Sequence, residues 1–176
     1  MTTDRLIVTL GATVRTNATR AAVYDALADL STHMVWGGDE TGSQSFRLLT
    51  MQQPGGVAVA GTRFSSTGVV QMGTFSDETV VTESVPGARF WFRTESVMER
   101  KRAASWIGTF EHRYTLENDA DDTVIRYTCA IYTRSYVPYW WKLPMKPMTK
   151  FMVQRTARHC LRSLGTVAAA QPVPAT

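Results

Sequence analysis

The chain of 176 residues has only two cysteines, Cys129 and Cys160. Two are too few for a disulfide framework, and their separation is not that of zinc ligands, so buried, inert free thiols are expected. No stretch approaches the ~20 uninterrupted apolar residues of a membrane-spanning helix. The opening MTTDRLIVTLGATV lacks a basic region leading into an apolar one, which predicts a soluble, cytoplasmic protein. There is no Gly-x-Ser-x-Gly elbow, no phosphate-binding glycine loop, no dinucleotide fingerprint and no cysteine in a protease-like context. No cofactor is expected on that basis. Internal repeats and low-complexity tracts are also missing. Acid is missing from the end of the chain: after Asp122 there is none, while Arg126, Arg134, Lys142, Lys146, Lys150, Arg155, Arg158 and Arg162 all follow it. The overall charge of +4 therefore hides a first part with 11 basic against 15 acidic residues and a last part carrying +8. Such a field favours an anionic ligand, an anionic membrane surface or nucleic acid, unless it is simply a solvated helix face.

What is present is ordinary globular material. Apolar residues at 44% and charged residues at 19% exclude a disordered or collagen-like chain, and the length predicts one domain, residues 1–169, with a frayed tail at 170–176. Residues 5–15 are β-rich, and Thr16-Asn17 offers a cap for a helical run over 18–30 in which Val23, Ala26, Leu27 and Leu30 share a face. Ser31 to Trp36 reads as a second short helix or a turn, ended by Gly37-Gly38. From residue 45 the period changes. SFRLLTMQQ, GTRFSST, ETVVTESV, RFWFRTESVM, SWIGTFEHRYTLE and TVIRYTCAIYT read as six strands separated by turn chemistry, with 68–77 open between strand extension and loop. Strand 106–116 alternates most clearly, placing Trp106, Gly108, Phe110, His112, Tyr114 and Leu116 on an inward face. A Pro- and Trp-rich stretch, RSYVPYWWKLPMKP, precedes a final helix from about Met148 to Ala169. Its stripe of Val153, Ala157, Cys160, Leu161, Leu164 and Ala168 should pack on the sheet.

The segments TNATRAAVYDALADLSTHMVW, AGTRF, VVTESVPGARFWFRT, TFEHRYTLE with DTVIRYT, and RHCLRSLG, spread over residues 5–165, carry a resemblance. In this order they are similar to the SRPBCC superfamily, which groups START lipid-transfer domains, birch-pollen-allergen-like proteins and polyketide cyclases, and in particular to its polyketide cyclase/dehydrase and lipid-transport branch. The resemblance implies an α+β helix-grip fold: a curved seven-stranded antiparallel sheet around a long C-terminal helix, with two short helices after the first strand and a cavity between sheet and helix. It also implies a hydrophobic or amphipathic ligand, such as a lipid or a polyketide-like compound, that is bound and carried. The alternative it offers is a polyketide cyclase/aromatase or dehydratase using the same cavity.

The residues supply candidates for that cavity. Phe64, Phe90, Phe92, Trp106, Phe110, Tyr114 and Tyr127 are the inward aromatics, each of which core packing alone also explains. Trp36 corresponds to the family's tryptophan at the cavity end, where closure is its expected role. His112 stands on the apolar face of the best strand. It is the candidate acid or base, or else a core histidine bonded to a tyrosine or to backbone. Arg63 and Arg93 fall on the opposite faces and should form outward ion pairs. His33, Asp39 and Glu40 have ligand-type side chains but no metal-site spacing, so no metal is expected. Trp140, Trp141, Lys142, Met148, Phe151 and Met152 form a basic, aromatic patch that either folds back as a lid or makes transient contact with an anionic membrane or partner. The interleaving in YWWKLPMKPMTKF also suits nucleic acid, but no motif of a nucleic-acid module accompanies it.

Overall fold

In a computed structural model of the chain, residues 4–37, 46–70, 73–100, 103–134 and 139–170 are described, with side chains outside 103–104, 139–150, 152 and 153. Strand β1 (Arg5–Thr16) leads into helix α1 (Arg20–Ala28), a single 3-10 turn (Leu30–Thr32) and the short helix α2 (His33–Gly37). Six further strands follow: β2 (Phe46–Gln52), β3 (Arg63–Val70), β4 (Gly73–Val85), β5 (Arg89–Arg100), β6 (Ala103–Asp119) and β7 (Asp122–Thr133). Helix α3 (Tyr139–Ala170) ends the described chain. The strands form one antiparallel sheet in the order β1-β7-β6-β5-β4-β3-β2, so β2 to β7 are a meander and β1 closes onto its last strand. None of the described helices is long and apolar enough to cross a membrane.

Cross-strand register turns the period of two into rows that run across the sheet. One row is Leu10, Cys129, His112, Phe92 and Val81, and the next is Ala12, Tyr127, Tyr114, Phe90 and Ser84. These rows face the helices. α1 turns Val23, Tyr24, Ala26, Leu27 and Ala28 into the core. α3 packs with Leu161, Leu164 and Ala168, and it approaches β1 so closely that a Cβ on Gly165 would lie 3.0 Å from Thr16 Oγ1. Gln154 Nε2 donates to the Gly11 carbonyl (3.2 Å), which covers part of the otherwise unpaired β1 edge. On the outer face Asp4 accepts from Arg134 Nε (2.6 Å) and lies 3.4 Å from Arg93, whose outward ion pairing was expected.

Three expectations need correction, and one that stood open is decided. α1 is capped by Thr19, whose Oγ1 accepts from Ala22 N (3.2 Å), not by Thr16-Asn17. Thr16 instead accepts from Ala18 N (3.2 Å) and donates to the Gly165 carbonyl (3.4 Å), joining the end of β1 to α3. The open segment 68–77 is strand on both sides of residues 71–72, in β3 and β4. α3 begins at Tyr139 rather than near Met148, with Pro144 and Pro147 inside it. Proline's fixed φ of about −65° suits a helix, and its missing N–H removes a bond without forbidding the conformation. Cys129 is buried as expected, but Cys160 is only partly so, at the flank of the α3 stripe; both are free thiols, and burial pushes each up to about 11.

The β6–β7 hairpin pairs Asp119 with Asp122, leaving Ala120 in the left-handed region at φ 54°. An L side chain with a Cβ pays about 1 kcal/mol there, partly offset by the greater unfolded-state freedom of glycine. Ala120→Gly should therefore raise the stability measured by urea unfolding by about 0.5 kcal/mol. A loss of stability would contradict this account of the turn.

Candidate functional site

The sheet's inner face brings the expected aromatic side chains into one continuous array. Trp106 meets Phe110 edge-on (5.7 Å between ring centres), Phe110 stacks towards His112 (6.0 Å), and His112 stacks on Phe92 (4.5 Å). Phe92 then touches Phe64 (6.1 Å), Phe90 (6.1 Å) and Tyr114 (5.9 Å). Tyr114 packs on Tyr127 (4.8 Å) and edge-on against Trp36 (6.3 Å). The Trp106 ring folds back over Gly108, occupying the space a Cβ would need, so glycine there is what lets the indole lie flat on the sheet. Trp36 is buried and donates from Nε1 to Thr32 Oγ1 (3.1 Å).

Burial along this array is uneven. Phe90, Phe92, Tyr114 and Tyr127 are buried, whereas Trp106, Phe110 and His112 keep accessible surface although they stand mid-sheet and face inward. Packing against the helices is therefore complete at the Tyr114 end and incomplete around His112. His112 Nδ1 lies 2.8 Å from the Tyr127 hydroxyl, and removal from water holds the imidazole down at about 4, neutral at physiological pH. This is the tyrosine-bonded arrangement that was one of the two expectations for His112. Tyr114 and Tyr127 are held well above the ordinary phenol value by the same loss of water.

Of the loop candidates with ligand-type side chains, one is placed in the core. His33 is buried, and its Nε2 donates to the Leu27 carbonyl (2.8 Å) beneath the Trp36 ring (4.6 Å); burial lowers it to about 4. It is a satisfied core group. Asp39 and Glu40 lie outside the described residues, as do the side chains of Trp140, Trp141, Lys142, Met148 and Met152; Phe151 is 67% exposed.

Beyond the aromatic rows the inner face turns polar. Thr79 and Thr94 face each other across β4 and β5 and share a hydrogen bond (2.9 Å). In the next row Ser66, Asp77 and Ser96 stand on three adjacent strands. Ser66 and Ser96 are buried. Asp77 is partly buried and hydrogen-bonded to Ser96, and its Oδ1 is shielded from water without any hydrogen-bond partner. Desolvation, only partly countered by Ser96, pushes its carboxyl up to about 6. Parity alone could have found it: once Val81 and Thr79 are placed inward, Asp77 and Phe75 must follow.

Two open hollows lie elsewhere. One of about 410 Å³ sits beside Asp25, Asp29, Gly56 and Val57, and one of about 330 Å³ lies over β1 and β7 between Thr13, Thr128, Arg126 and Arg158. Neither is lined by the Trp106–His112 stretch of the array.

The buried titratable groups oppose each other in acid. Between the ordinary histidine value of 6.5 and about 4 the unfolded chain takes up protons that His33 and His112 refuse when folded, so stability falls with pH in that window. Asp77 acts oppositely: between about 6 and 3.8 the folded chain holds a proton that the unfolded chain has released, so its penalty at neutral pH disappears as pH falls. Asp77→Asn should thus be more stable than the native chain near neutrality by about 1 to 3 kcal/mol. Urea unfolding should show that advantage shrinking through pH 6 and vanishing near the unfolded value of 3.8. A difference independent of pH would show that Asp77 is not desolvated.

No protein-family model matches the chain, and no curated protein matches it in sequence. Solved structures do match over almost its whole length. An uncharacterised protein from Rhizobium leguminosarum superposes with a TM-score of 0.63 at 13% identity, covering 96% of this chain and 98% of that one. Protein CV1439 from Chromobacterium violaceum gives 0.62 at 14%, covering 93% and 98%. Ara h 8.0201 gives 0.61 at 10%, covering 93% and 99%. At such identities the likeness is one of fold. With its seven-stranded antiparallel sheet, two short helices after β1 and long C-terminal helix, this chain has a helix-grip fold.

Proposed function

We propose that the chain binds, and carries, a hydrophobic or amphipathic small molecule between the inner face of the sheet and α3. The observation that carries this reading is the incomplete packing around Trp106, Phe110 and His112, on a face where Phe90, Phe92, Tyr114 and Tyr127 are buried. Large apolar side chains that face inward and yet retain accessible surface are what a ligand would cover. A cyclase or dehydratase acting in the same place, with His112 as acid or base, is the competing reading. An imidazole held at about 4 and engaged by Tyr127 is a weak base near neutrality, which favours binding over chemistry.

The test is to expose the purified protein to a lipid extract and identify what co-purifies by mass spectrometry. An unreacted hydrophobic compound is the expected result; a converted one would favour the enzyme, and nothing retained would overturn both. The double variant His112→Phe/Tyr127→Phe should fold nearly as well as the native chain. His112→Phe alone leaves a buried hydroxyl unpaired and should cost about 1 to 3 kcal/mol. If the pair contacts a polar part of the ligand, retention falls in both variants.

Carriage also calls for a loading surface. Phe151, a large apolar side chain on the solvent side of α3, lies in a segment with Lys142, Lys146, Lys150 and Arg155 and no acid, which supports contact with an anionic membrane. The protein should co-sediment with anionic but not neutral vesicles, less so at high salt and less so after Phe151→Ala. No sedimentation at low salt would remove this reading and leave the segment as part of the fold.

A further inference from the structure

The binding reading leaves one feature unused, the oxygen row at the β3–β4–β5 end of the inner face. We infer that Asp77, flanked by Ser66 and Ser96, is the polar anchor of the ligand site and selects a ligand whose apolar body carries a protonated amine. This rests on the proposed binding of a hydrophobic molecule and adds its head-group chemistry.

Geometry supports the assignment. Register sets Ser66 opposite Asp77 and Asp77 opposite Ser96, so three oxygen-bearing side chains project from neighbouring strands about 4.8 Å apart, on the face that holds the aromatic array. A primary ammonium has three N–H donors and no acceptor, and a carboxylate between two hydroxyls presents acceptors on the same scale. Asp77 Oδ1 is shut off from water with no hydrogen-bond partner among the described residues. Among the described residues, burial and the Ser96 hydrogen bond shape the environment of its carboxyl, with no cation beside them. A buried carboxylate oxygen in that position is costly unless something donates to it, and a cationic donor offsets both the missing bond and the missing charge. The adjacent Thr79–Thr94 pair is already satisfied within itself and does not compete. Phe75, Met98 and Trp106 form the row beyond the oxygen row while Phe110 and the rest of the aromatic array lie on its other side, so an alkyl or aryl body has apolar surface to follow.

The surface field argues against a trivial origin for such a preference. The chain is net positive, with +8 in its last part, and long-range electrostatics would favour an anion. Preference for a cation must then come from a local, desolvated contact.

The test uses three probes with the same eight-carbon chain, octylamine, 1-octanol and octanoate, titrated calorimetrically into the native protein at about pH 7.5, where amine and acid are both charged. Octylamine should bind about tenfold tighter than 1-octanol, as a charge-assisted hydrogen bond allows, and octanoate should bind more weakly than the alcohol. Asp77→Asn, which keeps shape and removes charge, should bring amine and alcohol within about twofold of each other, with the larger loss of affinity falling on the amine. Equal binding of amine and alcohol by the native protein would overturn the amine assignment and leave the hydrophobic site standing. An amine preference that survives in Asp77→Asn would overturn the role of Asp77. Failure of both alcohol and amine to bind would overturn the hydrophobic-site reading and this inference together.

Discussion

A seven-stranded antiparallel sheet presents one apolar face far wider than a single helix, and that mismatch organises the molecule. A helix with its side chains is about 10 Å across, whereas seven strands at about 4.8 Å spacing span roughly three times that width. α3 is anchored at the β1 side by Gly165 against Thr16 and by Gln154 on the Gly11 carbonyl, and α1 and α2 pack against it. Cover is therefore densest over the Leu116–Ile125 and Tyr114–Tyr127 rows and thins towards His112, Phe110 and Trp106. Large aromatics are the economical filler for such a space, because each covers much area with few torsions to fix.

The polar groups on this face divide by whether the fold itself satisfies them. His33 has the Leu27 carbonyl, His112 has Tyr127, Tyr24 shares a hydrogen bond with Ser84 (2.6 Å), and Thr79 has Thr94. Each pair costs little once formed and helps fix a unique packing. Asp77 differs because one of its oxygens is left over. It belongs to no apolar row, and the asparagine that would relieve its charge is chemically close, so the protein retains at this point a penalty that packing does not require. Penalties of that kind accumulate where a fold is shaped for something other than its own stability.

How much of this was legible in the sequence depended on which signal each element carried. Strand 106–116 has an alternation clean enough to place Trp106, Phe110, His112 and Tyr114 on one face, and the structure joins those residues with Phe64, Phe90, Phe92, Tyr127 and Trp36. The polar row was illegible for a related reason. An aspartate between Ser76 and Glu78 reads as solvent-facing, and 68–77 stayed open between strand and loop; Gly68 is there because the Phe75 ring lies over it. The start of α3 was hidden by Pro144 and Pro147, whose usual meaning as helix breakers is a matter of average cost. The cap at Thr19 was misread because Thr16 also has the right chemistry, and only the closeness of α3 decides which threonine serves the helix and which the strand end. Local pattern specifies faces well; it does not reveal which neighbour arrives from far along the chain.

Charge separates the approach of a ligand from its retention. The basic excess lies entirely after Asp122, much of it on α3, and acts through water over about a Debye length of 8 to 10 Å. A field of that range favours anions without discriminating among them. Asp77 acts at contact range in a desolvated setting, where a single hydrogen-bonded charge outweighs several screened ones. The two signs are opposite, so a cationic amphiphile held at an anionic surface would meet a protein drawn to that surface by its helix and would be retained by its interior. A ligand of negative charge would be attracted by the same helix and disfavoured inside. One fold can therefore combine an undiscriminating exterior with a selective interior, because water screens the first and is excluded from the second.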